Sequence, residues 1–134
     1  MSIAISIAAS GMAAATLRLQ VSAGNVANAL SFGPLPDAEN AADFRPAYTP
    51  LRVVQTDVLG GGTSATIAPS LPSYTPVYDP TAPFANDDGM VAAPNVNLGE
   101  ELVTQMLARF AYSANAKVMV ADWRMGSFLF DLTV

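Results

Sequence analysis

Paired carboxylates are the first candidates for chemistry in this chain, and two adjacent pairs are present, Glu100-Glu101 and Asp87-Asp88. Neighbouring residues on a helix point about 100° apart and do not converge on one substrate. Glu100 and Glu101 therefore read as the negative first turn of a helix. Asp87-Asp88-Gly89 runs into Met90, Val91, Ala92 and Ala93, without the alternating oxygen ligands and distal glutamate of a calcium loop, and reads as a turn. Gly60-Gly61-Gly62 lacks the lysine of a phosphate loop and opens no helix, so it is a turn as well. The sequence contains no histidine, which removes the usual general base for a serine nucleophile and the commonest metal ligand. It contains no cysteine either, which removes thiol catalysis, disulfides, thiolate zinc sites and iron–sulfur clusters. No catalytic residue, metal or cofactor is expected, and the chain reads as a non-enzyme.

The asparagines say more. Asn25, Asn28, Asn95, Asn97 and Asn115 lie in or beside stretches with helical periodicity, although asparagine is a weak helix former. Asn28 fits a C-cap, and Asn97 fits an N-cap with Glu100 three residues on to complete a capping box. For Asn25 and Asn115 two readings stand, solvent exposure or a polar residue that fixes register in a helical seam. Tyr112 and Trp123 read as core aromatics of the second helix.

Proline placement decides which elements carry these residues. All ten prolines fall between Pro34 and Pro94, and a proline inside a helix costs about 3 kcal/mol. Both flanks can therefore be helical and the middle cannot. The spacing predicts a first helix whose seam runs Ile3, Ile7, Ser10, Ala14, Leu17, Val21, Gly24 and Asn28, an alternating four–three step. It predicts a second helix from Leu98 with one stripe through Val103, Leu107, Phe110, Ala114, Val118, Ala121, Met125, Phe128 and Leu132. A second stripe takes in Leu102, Met106, Ala116, Val120, Trp123 and Phe130. Such a helix is apolar over more than half its circumference and has to be covered on most sides. Between the helices, Tyr48–Val58 and Thr63–Ile67 read as strands around the glycine turn, and Tyr74–Tyr78 as an edge strand because of Pro76. The loop from Ala29 to Asp43 has no periodicity and is expected to be mobile. The fold class is α+β: residues 1–30 an N-terminal helix, 31–97 a loop and small β-hairpin module, and 98–134 a C-terminal helix, the two long helices forming a coiled-coil-like assembly domain.

At 134 residues the chain has room for one small domain. It is 51% hydrophobic and only 13% charged, about half the usual charged share. The net charge of −5 and the pI near 4.3 exclude the basic footprint of a nucleic-acid binder. Met1–Leu17 is mostly Ala, Ser and Gly and reads neither as a transmembrane helix nor as a signal peptide, since no basic residue precedes Arg18. One alanine-rich partner helix cannot cover the second helix, so other chains are expected to do so. A secreted amphipathic module that associates with membranes is the rival reading. The acidic balance weighs against it, because surface-seeking helices carry lysine and arginine.

The two flanks resemble a known family. Arg18-Leu19-Gln20-Val21-Ser22-Ala23-Gly24-Asn25-Val26-Ala27-Asn28-Ala29 is similar to the N-terminal signature of bacterial flagellar rod, hook and hook-associated proteins, with Val26 where leucine is usual. Ala93-Pro94-Asn95-Val96-Asn97, then Glu100-Glu101-Leu102-Val103, Arg109, Tyr112, Ala114-Asn115 and Val118, resembles the proximal-rod branch. Val77-Tyr78-Asp79-Pro80 and Gly89-Met90-Val91 add to that likeness. The resemblance implies a structural subunit of the flagellar basal body that leaves the cytoplasm through the flagellar export apparatus without a cleaved leader. It further implies folding by packing terminal helices against neighbours in a helical tube that passes torque from motor to hook. The partners it implies are other copies of the chain and other rod proteins, with no nucleic acid and no small-molecule substrate. The expected subunit contacts are Ile3, Ile7, Leu17, Val21, Asn25 and Asn28 on the first helix. On the second they are Leu102, Val103, Met106, Leu107, Phe110, Tyr112, Asn115, Val118, Trp123 and Phe128.

Gly11 and Gly24 each cost up to about 1 kcal/mol of helix propensity, and helices so poor in large seam residues depend on association for their stability. Far-ultraviolet circular dichroism of the isolated chain in dilute buffer is expected to show low helicity. Two long, stable helices in a monomer would contradict that dependence.

Overall fold

The computed structural model describes residues 2–39 and 41–131, with side chains as far as Phe128 in the last helix. Helix α1 spans Ile3–Ala27 and helix α2 spans Leu98–Asp131. Between them run strands β1 (Leu51–Asp57), β2 (Thr63–Pro69), β3 (Tyr74–Tyr78) and β4 (Met90–Pro94), preceded by a single 3-10 turn at Ala41–Asp43. The chain is an α+β protein, and its long helices stop where the sequence places their caps. Ser2 Oγ accepts from Ile5 N–H at 3.3 Å to open α1, and Asn28 closes it by returning both its N–H and its Nδ2 to Gly24 O. At the start of α2, Asn97 Oδ1 accepts from Gly99 N–H at 3.0 Å and from Glu100 N–H at 3.3 Å, which satisfies two otherwise orphaned donors.

The helices pack antiparallel: Ser22 near the end of α1 bonds to Glu101 near the start of α2, while Gly11 faces Asn115. The contact between them includes small residues, Gly11, Ala15 and Ser22 on α1 against Ala108 and Asn115 on α2, with Ala8 buried in the same row of α1. A Cβ at Gly11 would stand 2.7 Å from Asn115 Oδ1, so this glycine is what lets the helices approach. The expected seam is therefore corrected. Ile7, Ser10, Ala14 and Leu17 border the β1–β2 hairpin instead, and the row against α2 lies one position further along. Periodicity marks large residues, and here the tightest contact uses the smallest. With 34 residues against 25, α2 outreaches α1 by about 13 Å at 1.5 Å per residue.

Strands β1 and β2 pair from Leu51↔Pro69 to Asp57↔Thr63 and lie on α1. The turn between them places Gly60, Gly61 and Gly62 at φ of 98°, 99° and 95°, which side-chain-bearing residues rarely adopt. Strands β3 and β4 form a second hairpin with Pro76 opposite Ala92. Both backbone groups of Ala92 turn to Gly33 at 3.0 and 2.9 Å, so that position asks no N–H of Pro76. Asp87-Asp88-Gly89 forms the expected turn, in which Asn86 Oδ1 accepts from Asp88 N–H and Met90 N–H.

The Ala29–Asp43 loop departs from expectation. Gly33 is bridged to Ala92 in both directions, and Tyr48 N–H donates to Ser31 O at 3.0 Å, so the first residues of the loop are tied to the β module. By length and composition alone α1 is also apolar enough to cross a membrane, contrary to the sequence reading. Here its polar side chains bind other elements of the same chain: Arg18 donates to Gln55 Oε1, and Ser22 and Asn25 reach α2.

Among the described residues the buried aliphatic set is Ala8, Ala14, Ala15, Val21, Val91, Ala92, Ala93 and Ala108, joined by Pro34, Pro50 and Pro94, none larger than valine. A Cβ on Gly33 would overlap the Pro46–Ala47 backbone. Gly33→Ala is expected to destabilise the chain by about 2 kcal/mol or more and to open the 29–50 segment to limited proteolysis. Unchanged cleavage kinetics would contradict this account of the loop.

Candidate assembly surface

Because the small face of α2 meets α1, its large residues point outward. Phe110 is 75% exposed, Trp123 and Met106 are 70%, Phe128 is 64% and Leu107 is 61%, and Leu102, Val103 and Val118 are exposed beside them. The side chains of Phe130 and Leu132, also read into these stripes, lie outside the described residues. Trp123 and Tyr112 are therefore not core aromatics of this chain, which corrects the sequence reading: Trp123 stands largely in solvent, and Tyr112 is exposed at the rim of a groove beside α1. A contiguous apolar stripe of this length on a polypeptide in water marks an interaction site.

The N-terminal contact set divides. Ile3 is exposed and Ile7 half-exposed beside Gly61, whereas Val21 and Asn25 are buried within the chain. Asn25 is 2% exposed and uses its whole amide. Its Oδ1 accepts from the Tyr48 hydroxyl at 3.0 Å and from Leu51 N–H at 2.9 Å, while its Nδ2 donates to Leu51 O at 2.8 Å and to Glu101 Oε1 at 2.6 Å. Two donors and two acceptor positions are all an amide has. Of the two readings of Asn25, the polar register residue is the one observed, and what it registers is α1 against β1 and α2 of its own chain. Burial, and then the nearby Glu101 carboxylate, push the Tyr48 hydroxyl pKa upward. Asn115 donates to Ala111 O at 2.9 Å and fills the space over Gly11.

Tyr48, Leu51 and Glu101 were missed as partners, because nothing local in the sequence links them to Asn25. The small row Ala8, Gly11, Ala15, Ser22 could have been found, since it repeats in steps of three, four and seven. Beside it, Ala15, Thr16, Leu19, Ala108, Arg109 and Tyr112 line an apolar groove of about 390 Å³ between the helices.

Comparison with known proteins bears on what this surface is for. Residues 87–122 match the family model described as flagellar basal body rod FlgEFG protein C-terminal. The flagellar basal-body rod protein FlgC of Salmonella typhimurium is 35% identical over 118 residues, covering 84% of this chain and 83% of that protein. FlgC of Aquifex aeolicus is 30% identical over 125 residues, with 85% and 83% covered. FlgC of Agrobacterium fabrum is 30% identical over 129 residues, with 89% and 85% covered. The chain belongs to the FlgC family of flagellar basal-body rod proteins.

In this FlgC-family chain the signature residues are divided between two tasks. Arg18, Asn25, Asn28, Asn95 and Asn97 make hydrogen bonds inside the chain, Asn95 through Nδ2 to Pro72 O at 3.0 Å. Pro94 is buried and Val96 half-buried where β4 gives way to α2, and Ala27 ends α1. Leu19, Arg109 and Tyr112 line the groove, and Asn115 sits over Gly11.

Asn25→Ala would strand the Tyr48 hydroxyl, the Leu51 amide and the Glu101 carboxylate together, and is expected to cost about 3 kcal/mol. Tyr48→Phe should cost about 1 kcal/mol near neutral pH. A phenol whose pKa is raised on folding holds its proton longer in the native state than in the unfolded chain. Its stabilising share is thus complete below about pH 10 and is lost as pH rises through the native pKa. Thermal melts across that range should show an alkaline loss of stability that is smaller in Tyr48→Phe; identical slopes would contradict the assignment.

Proposed function

We infer that this chain is a structural subunit of the bacterial flagellar basal-body rod, packing through α1 and α2 against other copies of itself and other rod proteins. The outward stripe of α2 carries this reading, because a solitary chain leaves Met106, Leu107, Phe110, Trp123 and Phe128 in water. Burying one such side chain is worth about 1.5–3 kcal/mol, so covering the stripe supplies the free energy that an alanine-built interior lacks. Contacts of this kind, repeated on a screw axis, build an open helical tube, which carries torque from motor to hook.

In this reading residues 1–30 and 98–134 are the assembly helices and residues 31–97 set the spacing to neighbours. The subunit reaches the basal body through the flagellar export apparatus and takes its place where the rod crosses the periplasm. No specific observation favours the membrane-associating module, and the relatives carry the name of a rod protein.

Leu107→Asp and Phe110→Asp place a carboxylate on the stripe without touching the α1 contact. Each should abolish incorporation into purified basal bodies and swimming in soft agar, with the amount of chain synthesised unchanged. Normal swimming in either strain would contradict the assignment.

A further inference from the structure

The turn between β1 and β2 holds up one apolar side chain on a firm support. Leu59 is fully exposed at its tip. Beneath it, Gly61 N–H donates to Val58 O at 2.9 Å and Val58 N–H to Gly62 O at 3.2 Å. Thr63 N–H donates to Ser10 Oγ at 3.1 Å, and Gly61 and Gly62 rest on Ile7 and Ser10 of α1. Asp57 ends β1 two residues before Leu59.

The groove between the helices is separate from the hairpin side of α1. Ser10, Ala14 and Leu17 border the hairpin, Ala15 and Leu19 border the groove, and Thr16 lies between the two. Its floor is buried Ala15 and Ala108, its walls are Leu19 and Tyr112, and exposed Arg109 stands at its edge.

We propose that Leu59 of one copy seats in the Leu19–Tyr112 groove of the next copy, with Asp57 of the first against Arg109 of the second. This rests on the rod-subunit reading and names a contact by which neighbouring copies meet. Charge complementarity identifies the occupant: the tip offers a leucine two residues from a carboxylate, and the groove offers an apolar floor beside a guanidinium. The two halves are different patches of one chain, so the contact is heterologous and repeats from copy to copy. A knob of one side chain falls far below the roughly 1,200–2,000 Å² of a stable pair. It therefore acts inside an array, where neighbouring contacts raise the effective concentration, and gives no free dimer. The turn arrives already shaped, which lowers the ordering cost of seating it.

The chain has no cysteine, so Leu59→Cys and Leu19→Cys together place its only two thiols. In the native host carrying this double variant as its sole copy, mild oxidation of purified basal bodies should give covalent dimers and higher multimers of this chain, each requiring both substitutions. Swimming cells whose basal bodies yield only monomer, or an adduct with a different rod protein, overturn the contact and leave the rod-subunit reading standing. For cysteine variants that fail to enter the rod, charge reversal decides. Asp57→Arg and Arg109→Asp should each lower incorporation about tenfold, and the double reversal should recover it to within about twofold of wild type. A double reversal no better than either single one overturns the proposal.

Discussion

The close approach of α1 to α2 is the constraint from which the rest follows. Gly11, Ala15 and Ser22 leave so little between the backbones that α2 meets them chiefly through Ala108 and Asn115. A helix with this many large apolar residues then has nowhere to point them except away from its own chain. The exposed stripe is thus a geometric result of the small seam, and the two features stand or fall together. A larger residue at Gly11 would separate the helices near Asn115 and loosen the arrangement that turns Leu107 and Phe110 outward.

The same constraint explains why polar bonds matter so much in so small a molecule. Methyl groups bury little area each, and among the described residues no buried side chain is larger than valine. Position along the helices has to be fixed by something directional. Asn25 does this where α1 ends, α2 begins and β1 starts, and Ser22 adds a bond to Glu101 O at 3.1 Å. The β1–β2 hairpin is fixed to α1 in a similar manner by Ser10, at the opposite end of that helix.

Features governed by local chemistry were legible in the sequence. Proline placement marked the boundary between helical flanks and β middle; Asn28 and Asn97 cap the helices as their positions suggest; Gly60–Gly62 and Asp87-Asp88-Gly89 turn. The failures share one cause, which is that they depend on contacts between residues distant in sequence. The anchoring of the start of the Ala29–Asp43 loop rests on Gly33 meeting Ala92. Trp123 and Tyr112 look like core residues until the inward row proves to be built from alanine and glycine. The helix seam was placed one position off because periodicity is weighted toward bulk, and bulk here faces the hairpin or solvent. The α2 stripe itself was visible in the sequence, since its residues recur at helical spacing whichever way they face.

The amide of Asn25 has a donor end and an acceptor end, and in a dry setting neither can go without a counterpart. Sliding α2 by a single turn would move Glu101 about 5.4 Å, take its carboxylate away from Asn25 Nδ2 and lift Asn115 from its place over Gly11. Longitudinal slip of the helix pair is thus latched at one end by Asn25 and Ser22 and again further along where Asn115 sits over Gly11. Three polar side chains hold the zero mark of the ruler.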